Sequence, residues 1–287
     1  MEKEKLGFLV TLISAAGFGS MAIFAKIAYS YGLNITTILV FRFCIAVLIL
    51  WLYIWFKKEY VPVERKTLWK LILVGTLGYG LVSVFYFNSV KFASASLAGI
   101  LLYLHPLLVY LVLIFLKRDF FAWNKAAALV VSFLGLLFVL GSSFSITNYL
   151  GLLAGLGSAF AYTFYIVAGD KVIREMKPIQ GTAIVITSSA VAYLIFGLLS
   201  QNIILPEQNI AYLWMTIIAV FSTVIAIALF WVGVSLIGPT NASIVSTFEP
   251  FVTVILAFVF IGEKLTTFQS FGGLLIIGGV VILKSVK

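Results

Sequence analysis

The chain alternates long apolar segments with short polar connections along its whole length. Each apolar segment is close to the ~20 residues that an α-helix needs to cross about 30 Å of hydrocarbon. Its apolar residues are continuous rather than alternating with polar ones, which argues against the strands of a membrane barrel. We therefore predict an all-α integral membrane protein with ten transmembrane helices. The predicted spans are 6–29, 35–56, 68–90, 94–116, 123–141, 150–169, 179–199, 212–235, 240–261 and 267–283.

Composition supports this prediction and excludes several classes of function. The chain is 63% hydrophobic and 10% charged, whereas a soluble domain is about half apolar and a quarter charged. The first apolar segment is too long for a signal peptide, so we interpret it as a span. The single histidine rules out a His-Glu-x-x-His zinc site, and no phosphate-binding loop motif occurs. We expect no enzyme activity, no metal and no cofactor.

The basic residues lie mostly on one side of the predicted bundle. If the amino terminus is cytoplasmic, two cations, Lys91 and Lys264, lie in connections on the far side. This bias predicts cytoplasmic amino and carboxyl termini, and it explains the net charge of +9 without a nucleic-acid partner. The fifteen cations on the cytoplasmic side are Lys3, Lys5, Lys57, Lys58, Arg65, Lys66, Lys70, Lys117, Arg118, Lys125, Lys171, Arg174, Lys177, Lys284 and Lys287.

The two halves of the chain match at a constant offset of 144 residues. Pro106 corresponds to Pro250, and Asp119 corresponds to Glu263. We predict two repeats, 1–143 and 144–287, with five spans each. Because five is odd, the second repeat enters the membrane from the opposite side, an inverted arrangement that many transporters use. Such repeats place a binding site between the halves, near the middle of the membrane.

Two ionisable residues occupy equivalent positions in the two repeats. His105 precedes Pro106 and Glu249 precedes Pro250, each near the middle of a predicted span. Proline kinks a helix and frees a backbone carbonyl, which in a membrane is tolerated beside protein or a polar cavity. We interpret Glu249 and His105 as candidate binding or proton-relay groups. The alternative is structural: Glu249 pairs with a basic residue, and His105 forms a hydrogen bond between helices.

Further polar residues within the spans complete the set of candidates. Arg42 would bind a substrate carboxylate or serve as the counter-charge of Glu249, whereas Lys26 would extend to water at its helix end. Cys44 is interpreted as a packing residue. The residues that would line a substrate cavity, with packing as the alternative role of each, are Tyr79, Tyr86, Tyr103, Trp231, Ser243 and Thr247.

Several of these residues fall in a pattern that resembles a known family. Ala242, Pro250-Phe251 and Gly262-Glu263-Lys264 are similar to the second-repeat pattern of the EamA-type drug/metabolite transporters, and Phe18-Gly19 and Arg42-Phe43 are similar to its first-repeat pattern. The resemblance implies a secondary transporter with a cavity between spans three, four, eight and nine. It also implies a setting in the inner membrane of a bacterial cell, and substrates such as amino acids, amines or nucleotide sugars.

We therefore expect a transporter that moves an amino acid or related metabolite by alternating access, as an exporter or exchanger. Protonation of Glu249 would couple flux to a proton gradient, or its charge would select cationic solutes. A homodimer is left open. The alternatives are a flippase for lipid-linked substrates and a membrane scaffold that transports nothing.

Overall fold

The protein is described by a computed structural model that covers residues 2–93, 95–141, 149–173 and 176–285. Arg174 and Lys287, the first residue of the predicted fourth span and the boundary between the predicted repeats lie outside the described residues. The described part is helical throughout, and we number the helices α1 to α10. They are Glu2–Ser30, Ile35–Lys57, Arg65–Phe92, Leu97–Phe115, Trp123–Leu140, Tyr149–Ile173, Pro178–Leu199, Asn209–Ser246, Glu249–Ile261 and Thr267–Ser285.

Nine of these described helices are long and apolar enough to cross a membrane, and α9 is a shorter apolar helix. The chain is thus a multi-pass membrane protein.

Local chemistry accounts for several helix ends. The Asn34 side chain accepts a hydrogen bond from the Thr37 amide at 2.8 Å to begin α2. Pro178 begins α7, and Gly262 ends α9 with a φ of 73° that favours glycine.

The predicted eighth and ninth spans are divided differently in the structure. α8 runs from Asn209 to Ser246, but its backbone leaves the helical conformation at Gly238, where φ is 81° and ψ is 160°. Pro239 follows, and proline cannot continue the hydrogen bonding of the preceding turn. A second interruption at Thr247 and Phe248 separates α8 from α9. This interruption lies beside the kink predicted at Pro250 within the span 240–261, and Gly238 lies in the gap predicted between the spans 212–235 and 240–261.

The same interruption occurs in the first repeat. α4 is broken at Tyr103 and Leu104, immediately before His105 and Pro106. The predicted kinks at Pro106 and Pro250 are therefore breaks of the helix at equivalent positions.

Segments of π-helix also occur at matching places in the two repeats. In α3 the segment is Val74–Gly80, and in α8 it is Val220–Ile225. Offset by 144 residues, these segments overlap. Such wide turns are frequent at functional sites because they redirect side chains.

Each helix contact between the two repeats has a counterpart in which the equivalent helices of the other repeat take the same roles. α1 packs against α8 and α9, and correspondingly α6 packs against α3 and α4. α2 packs against α7, and α5 packs against α10. Each half therefore contributes to a shared core.

Glycines allow the closest approaches. A side chain at Gly272 would meet the Gly135 carbonyl oxygen at 2.6 Å, so α5 and α10 touch along their backbones.

Candidate functional site

A cavity of about 470 Å³ lies among the helices and receives side chains from both repeats. Arg42, Tyr79, Tyr86 and Tyr103 line it from the first repeat, and Glu249 lines it from the second. Its size is within the range of small-molecule sites. The cavity brings together five of the predicted site residues and also Pro250.

The cavity extends toward the side opposite the amino terminus. Its wall at that end includes Tyr29 at the end of α1 and Ile35 at the start of α2, which are 40% and 38% exposed. Val90, near the end of α3, also lines it. The cavity therefore reaches the surface where α1 meets α2.

The amino-terminal side is held together by polar contacts between helices. Arg118 forms an ion pair with Asp170 at 2.6 Å. Asp119 accepts a hydrogen bond from Thr240 at 2.6 Å and pairs with Lys125 at 2.6 Å. These contacts join the connection after α4 to α6, α8 and α5.

These contacts lower the pKa of the Asp119 carboxyl group. Partial burial raises its pKa, but the hydrogen bonds from Lys125 and Thr240 outweigh burial, and the pKa lies below its usual value. Asp119 is thus ionised at neutral pH and holds the two helices in place.

Glu249 begins α9 directly after the break at Thr247 and Phe248. Tyr103 lines the same cavity as the Glu249 carboxyl group. Tyr103 belongs to the corresponding break of the first repeat. Both helix breaks therefore lie at the cavity, and each places one polar side chain, Tyr103 or Glu249, on its wall.

Arg42 is held in place by groups that carry no charge. Its Nε donates to Thr223 Oγ1, one Nη donates to the Tyr79 hydroxyl and the other Nη contacts Met21 Sδ, each at 2.7 Å. Its guanidinium group also lies 4.8 Å from the centre of the Phe43 ring. Among the described residues, no carboxylate oxygen lies within 4.0 Å of Arg42.

The two main partners of Arg42 are repeat equivalents. Tyr79 belongs to the π segment of α3, and Thr223, which is 144 residues later, belongs to the π segment of α8. Arg42 therefore connects the corresponding wide turns of the two halves. Arg42 itself has no counterpart, because Ile186 stands at the equivalent position.

Two glycines of α1 let this helix fit between the second-repeat elements of the site. A side chain at Gly17 would meet the Phe221 carbonyl oxygen at 2.8 Å, within the π segment of α8. A side chain at Gly19 would meet the Glu249 carbonyl oxygen at 2.7 Å. Thr253 donates a hydrogen bond to the Gly19 carbonyl at 2.9 Å. α1 thus fixes the start of α9, and with it the position of Glu249.

His105 does not line the cavity. It is fully buried, its ring lies 4.3 Å from the Tyr162 ring, and its Nδ1 lies 3.0 Å from the Leu102 carbonyl oxygen. Because a carbonyl can only accept, Nδ1 carries the proton. Its Nε2 is 3.5 Å from Ser246 Oγ. His105 thus sits behind Tyr162, and Tyr162 itself faces the cavity.

The other predicted residues also lie outside the cavity wall. Trp231 donates to the Tyr165 hydroxyl at 2.7 Å and is buried. Ser243 and Thr247 donate to backbone carbonyls of their own helix. Lys26 pairs with Glu263 at 2.7 Å, and both side chains are exposed. None of the described lining residues belongs to α8, although the resemblance implied that the eighth span contributes.

Comparison with known proteins matches both halves of the chain to one family. The model of the EamA-like transporter family matches residues 5–141 and again residues 149–285. The chain belongs to the EamA-like transporter family. An uncharacterized transporter of Bacillus subtilis (strain 168), YcbK, is 26% identical over 93% of this chain and 88% of its own length. A second uncharacterized transporter of that organism, YyaM, is 22% identical over 77% of this chain and 75% of its own.

A solved crystal structure shares the fold of this EamA-like protein. It superposes with a TM-score of 0.80, covering 96% of this chain and 95% of its own, at 19% sequence identity. Family membership and the names of the relatives indicate a transporter rather than an enzyme, and membrane transport as its activity.

Proposed function

We propose that this protein is a secondary transporter for a small zwitterion, such as an amino acid or a related compound. The observation that carries the proposal is the pair of unmatched charges on one cavity wall. Arg42 comes from the first repeat and Glu249 from the second, and no ion pair joins them within 4.0 Å. A charge inside a membrane protein is costly unless it is compensated. A bound zwitterion would compensate both charges at once.

In this arrangement the two charged groups bind opposite ends of the solute. The Arg42 guanidinium has five N–H groups, and three contacts are made within the protein, so donors remain for a carboxylate. Glu249 would accept from the ammonium group. Tyr79, Tyr86 and Tyr103 form an aromatic wall with polar tips, which suits the remainder of a small organic solute.

We infer alternating access from the difference between the two ends of the cavity. The end beside Tyr29 is exposed, and the amino-terminal end is held by the Arg118–Asp170 pair and by Asp119 with Thr240. Opening the amino-terminal side would require these contacts to separate while the exposed end narrows. The exchange of helix pairs between repeats supports a rocking motion of one half against the other.

Ten crossings in two inverted halves would fit the observed contacts at both ends. Gly7, near the start of α1, packs against Ile237 just before the break in α8. Lys26, near the end of α1, pairs with Glu263 after α9. The chain would then cross once between 209 and 237 and again between 239 and 261. We propose that both termini are cytoplasmic, that the repeats divide at 143/144 and that flux is export or exchange.

The first experiment compares external metabolites of cells that express the wild type, Glu249→Ala or Arg42→Gln at matched protein levels. We expect an amino acid or related zwitterion to be released by the wild type and not by either variant. Equal release from all three strains would contradict the proposed site. In the same cells, Glu249→Gln distinguishes proton coupling from substrate binding by this residue. An unchanged pH dependence of transport would remove Glu249 as a proton-coupling group.

A further inference from the structure

We propose that the protein binds one anionic glycerophospholipid in a groove between α3 and α7. One acyl chain would occupy the groove, and the phosphate headgroup would contact the cations at the end of α2 and the start of α3. This proposal does not depend on the identity of the transported solute, because the groove shares no lining residue with the central cavity.

The groove is a second cavity of about 520 Å³, bounded by single faces of two helices. Leu68, Ile72 and Thr76 line it from α3 at four-residue spacing, and Trp51 of α2 contributes to its wall. From α7 the lining residues run from Gln180 to Ile195. At 1.5 Å per residue these fifteen steps span about 22 Å of helix. That exceeds half of the roughly 30 Å hydrocarbon core, as an acyl chain of one leaflet requires.

The polar atoms of the groove wall are already used within the protein. Trp51 Nε1 donates to Thr187 Oγ1 at 2.9 Å, and Thr76 donates to the Ile72 carbonyl at 2.8 Å. Ser188 donates to the Val185 carbonyl at 2.8 Å. A polar solute would therefore find few free partners, whereas a hydrocarbon chain loses nothing by covering these groups.

Gln180, in the first turn of α7, closes one end of the groove. Its side chain donates to the Val61 carbonyl at 2.7 Å and accepts from the Val61 amide at 3.1 Å. This pair of bonds holds the connection between α2 and α3 against α7. Val63 and Tyr60 of that connection line the groove as well.

The groove faces the bilayer along one side. Val191 and Ile195 line it and are 51% and 54% exposed. Both lie within α7, which is long and apolar enough to span the membrane. Their exposed surface therefore faces lipid, and a chain can enter sideways from the bilayer.

The mouth of the groove carries the features of a headgroup region. Tyr60 lines the groove there and is exposed, and aromatic rings with polar tips favour the interface between hydrocarbon and water. Four exposed cations lie beside the connection that lines this mouth, together with the carboxylates Glu59 and Glu64, and none of the four cations forms an ion pair with a described residue. They are Lys57, Lys58, Arg65 and Lys66.

Basic clusters beside a membrane helix attract anionic lipid. The combination of an apolar groove and neighbouring cations therefore matches one acyl chain of a lipid whose phosphate headgroup is negatively charged.

The test is native mass spectrometry of the delipidated full-length protein in detergent, titrated with phosphatidylglycerol or with phosphatidylcholine of the same acyl chains. We expect one phosphatidylglycerol per chain to bind at least tenfold more tightly than phosphatidylcholine. In Lys57→Gln/Lys58→Gln this preference should fall by a factor on the order of 10. Arg65, Lys66 and Lys70 remain at the start of α3, and together with Glu59 and Glu64 they leave a net charge of +1 (three cations less two carboxylates).

Two further variants distinguish the site from general charge attraction. Lys5→Gln/Lys284→Gln removes two exposed cations from α1 and α10, neither of which lines the groove, and should keep the preference. Ala192→Trp fills the groove and should weaken binding of both lipids. The proposal is overturned if the Lys57/Lys58 variant keeps the preference, if both double variants lose it equally, or if Ala192→Trp binds lipid like the wild type. Thermal unfolding of each variant verifies that it is folded.

Discussion

Replacing Gly19 by alanine tests how α1 positions Glu249. The new methyl group would lie 2.7 Å from the Glu249 carbonyl oxygen and 3.1 Å from Val252 Cβ. The backbone cannot yield as a flexible side chain would, so the start of α9 must move. The matched control is Gly278→Ala in α10, where the nearest atom, on Val131, is 4.0 Å from the added carbon.

The magnitude follows from the difference between the two variants. Each gains about 0.5–1 kcal/mol of helix propensity, and this gain cancels in the comparison. What remains is the overpacking cost at Gly19, typically about 1–3 kcal/mol. We expect the free energy of unfolding of Gly19→Ala, measured by denaturant titration in micelles, to be lower than that of Gly278→Ala by this amount. Transport should also fall in Gly19→Ala, although the residue bears no charge. Equal stability of the two variants would refute the proposed contact between α1 and α9.

Three further predictions concern single polar contacts. Thr223→Val leaves the Arg42 Nε–H without its partner and should lower the free energy of unfolding by about 1–3 kcal/mol, with recovery in Thr223→Ser; an unaffected valine variant would contradict this. The pKa of Asp119 is lowered in the folded protein, so its contact with Lys125 should stabilise the fold above pH ~4 and be lost as the pH falls further. The free energy of unfolding should therefore fall more steeply between pH 5 and 3 in the wild type than in Asp119→Asn. Lys26→Gln removes an exposed ion pair and should change the free energy of unfolding by less than about 1 kcal/mol; a loss above about 2 kcal/mol would contradict the description of this pair as a weak surface contact.

The hydrophobic pattern of the sequence predicts most of the fold for a physical reason. Lipid requires every backbone group to be satisfied within its own helix, so each crossing appears as one apolar segment. Two interruptions were also indicated by the sequence. Gly238 breaks α8 in the gap between the predicted spans 212–235 and 240–261, and the interruption before α9 lies beside the predicted kink at Pro250. The extent of the second interruption was not predictable, because a proline can either bend a helix or break it.

The candidate site was predictable in part. Charge within a span identified Arg42 and Glu249, and both line the cavity. Thr223 could not be identified from its own surroundings, although its equivalence to Tyr79 across the 144-residue offset was a signal that could have found it. Symmetry also suggested that His105 and Glu249 act alike, but the sequence does not specify which side of a broken helix faces the cavity. The structure buries His105 behind Tyr162.

The most direct test of the account uses proteoliposomes and whichever solute the wild-type cells release. Competition is measured with two analogues of that solute, one acetylated at the amino group and one converted to the amide at the carboxylate. If Glu249 binds the ammonium group, Glu249→Gln should lose the preference for the solute over the acetylated analogue. If Arg42 binds the carboxylate, Arg42→Gln should lose the preference over the amide, and each variant should keep the other preference. Variants that transport the solute and still reject both analogues as the wild type does would contradict the proposed binding of a zwitterion between the two repeats.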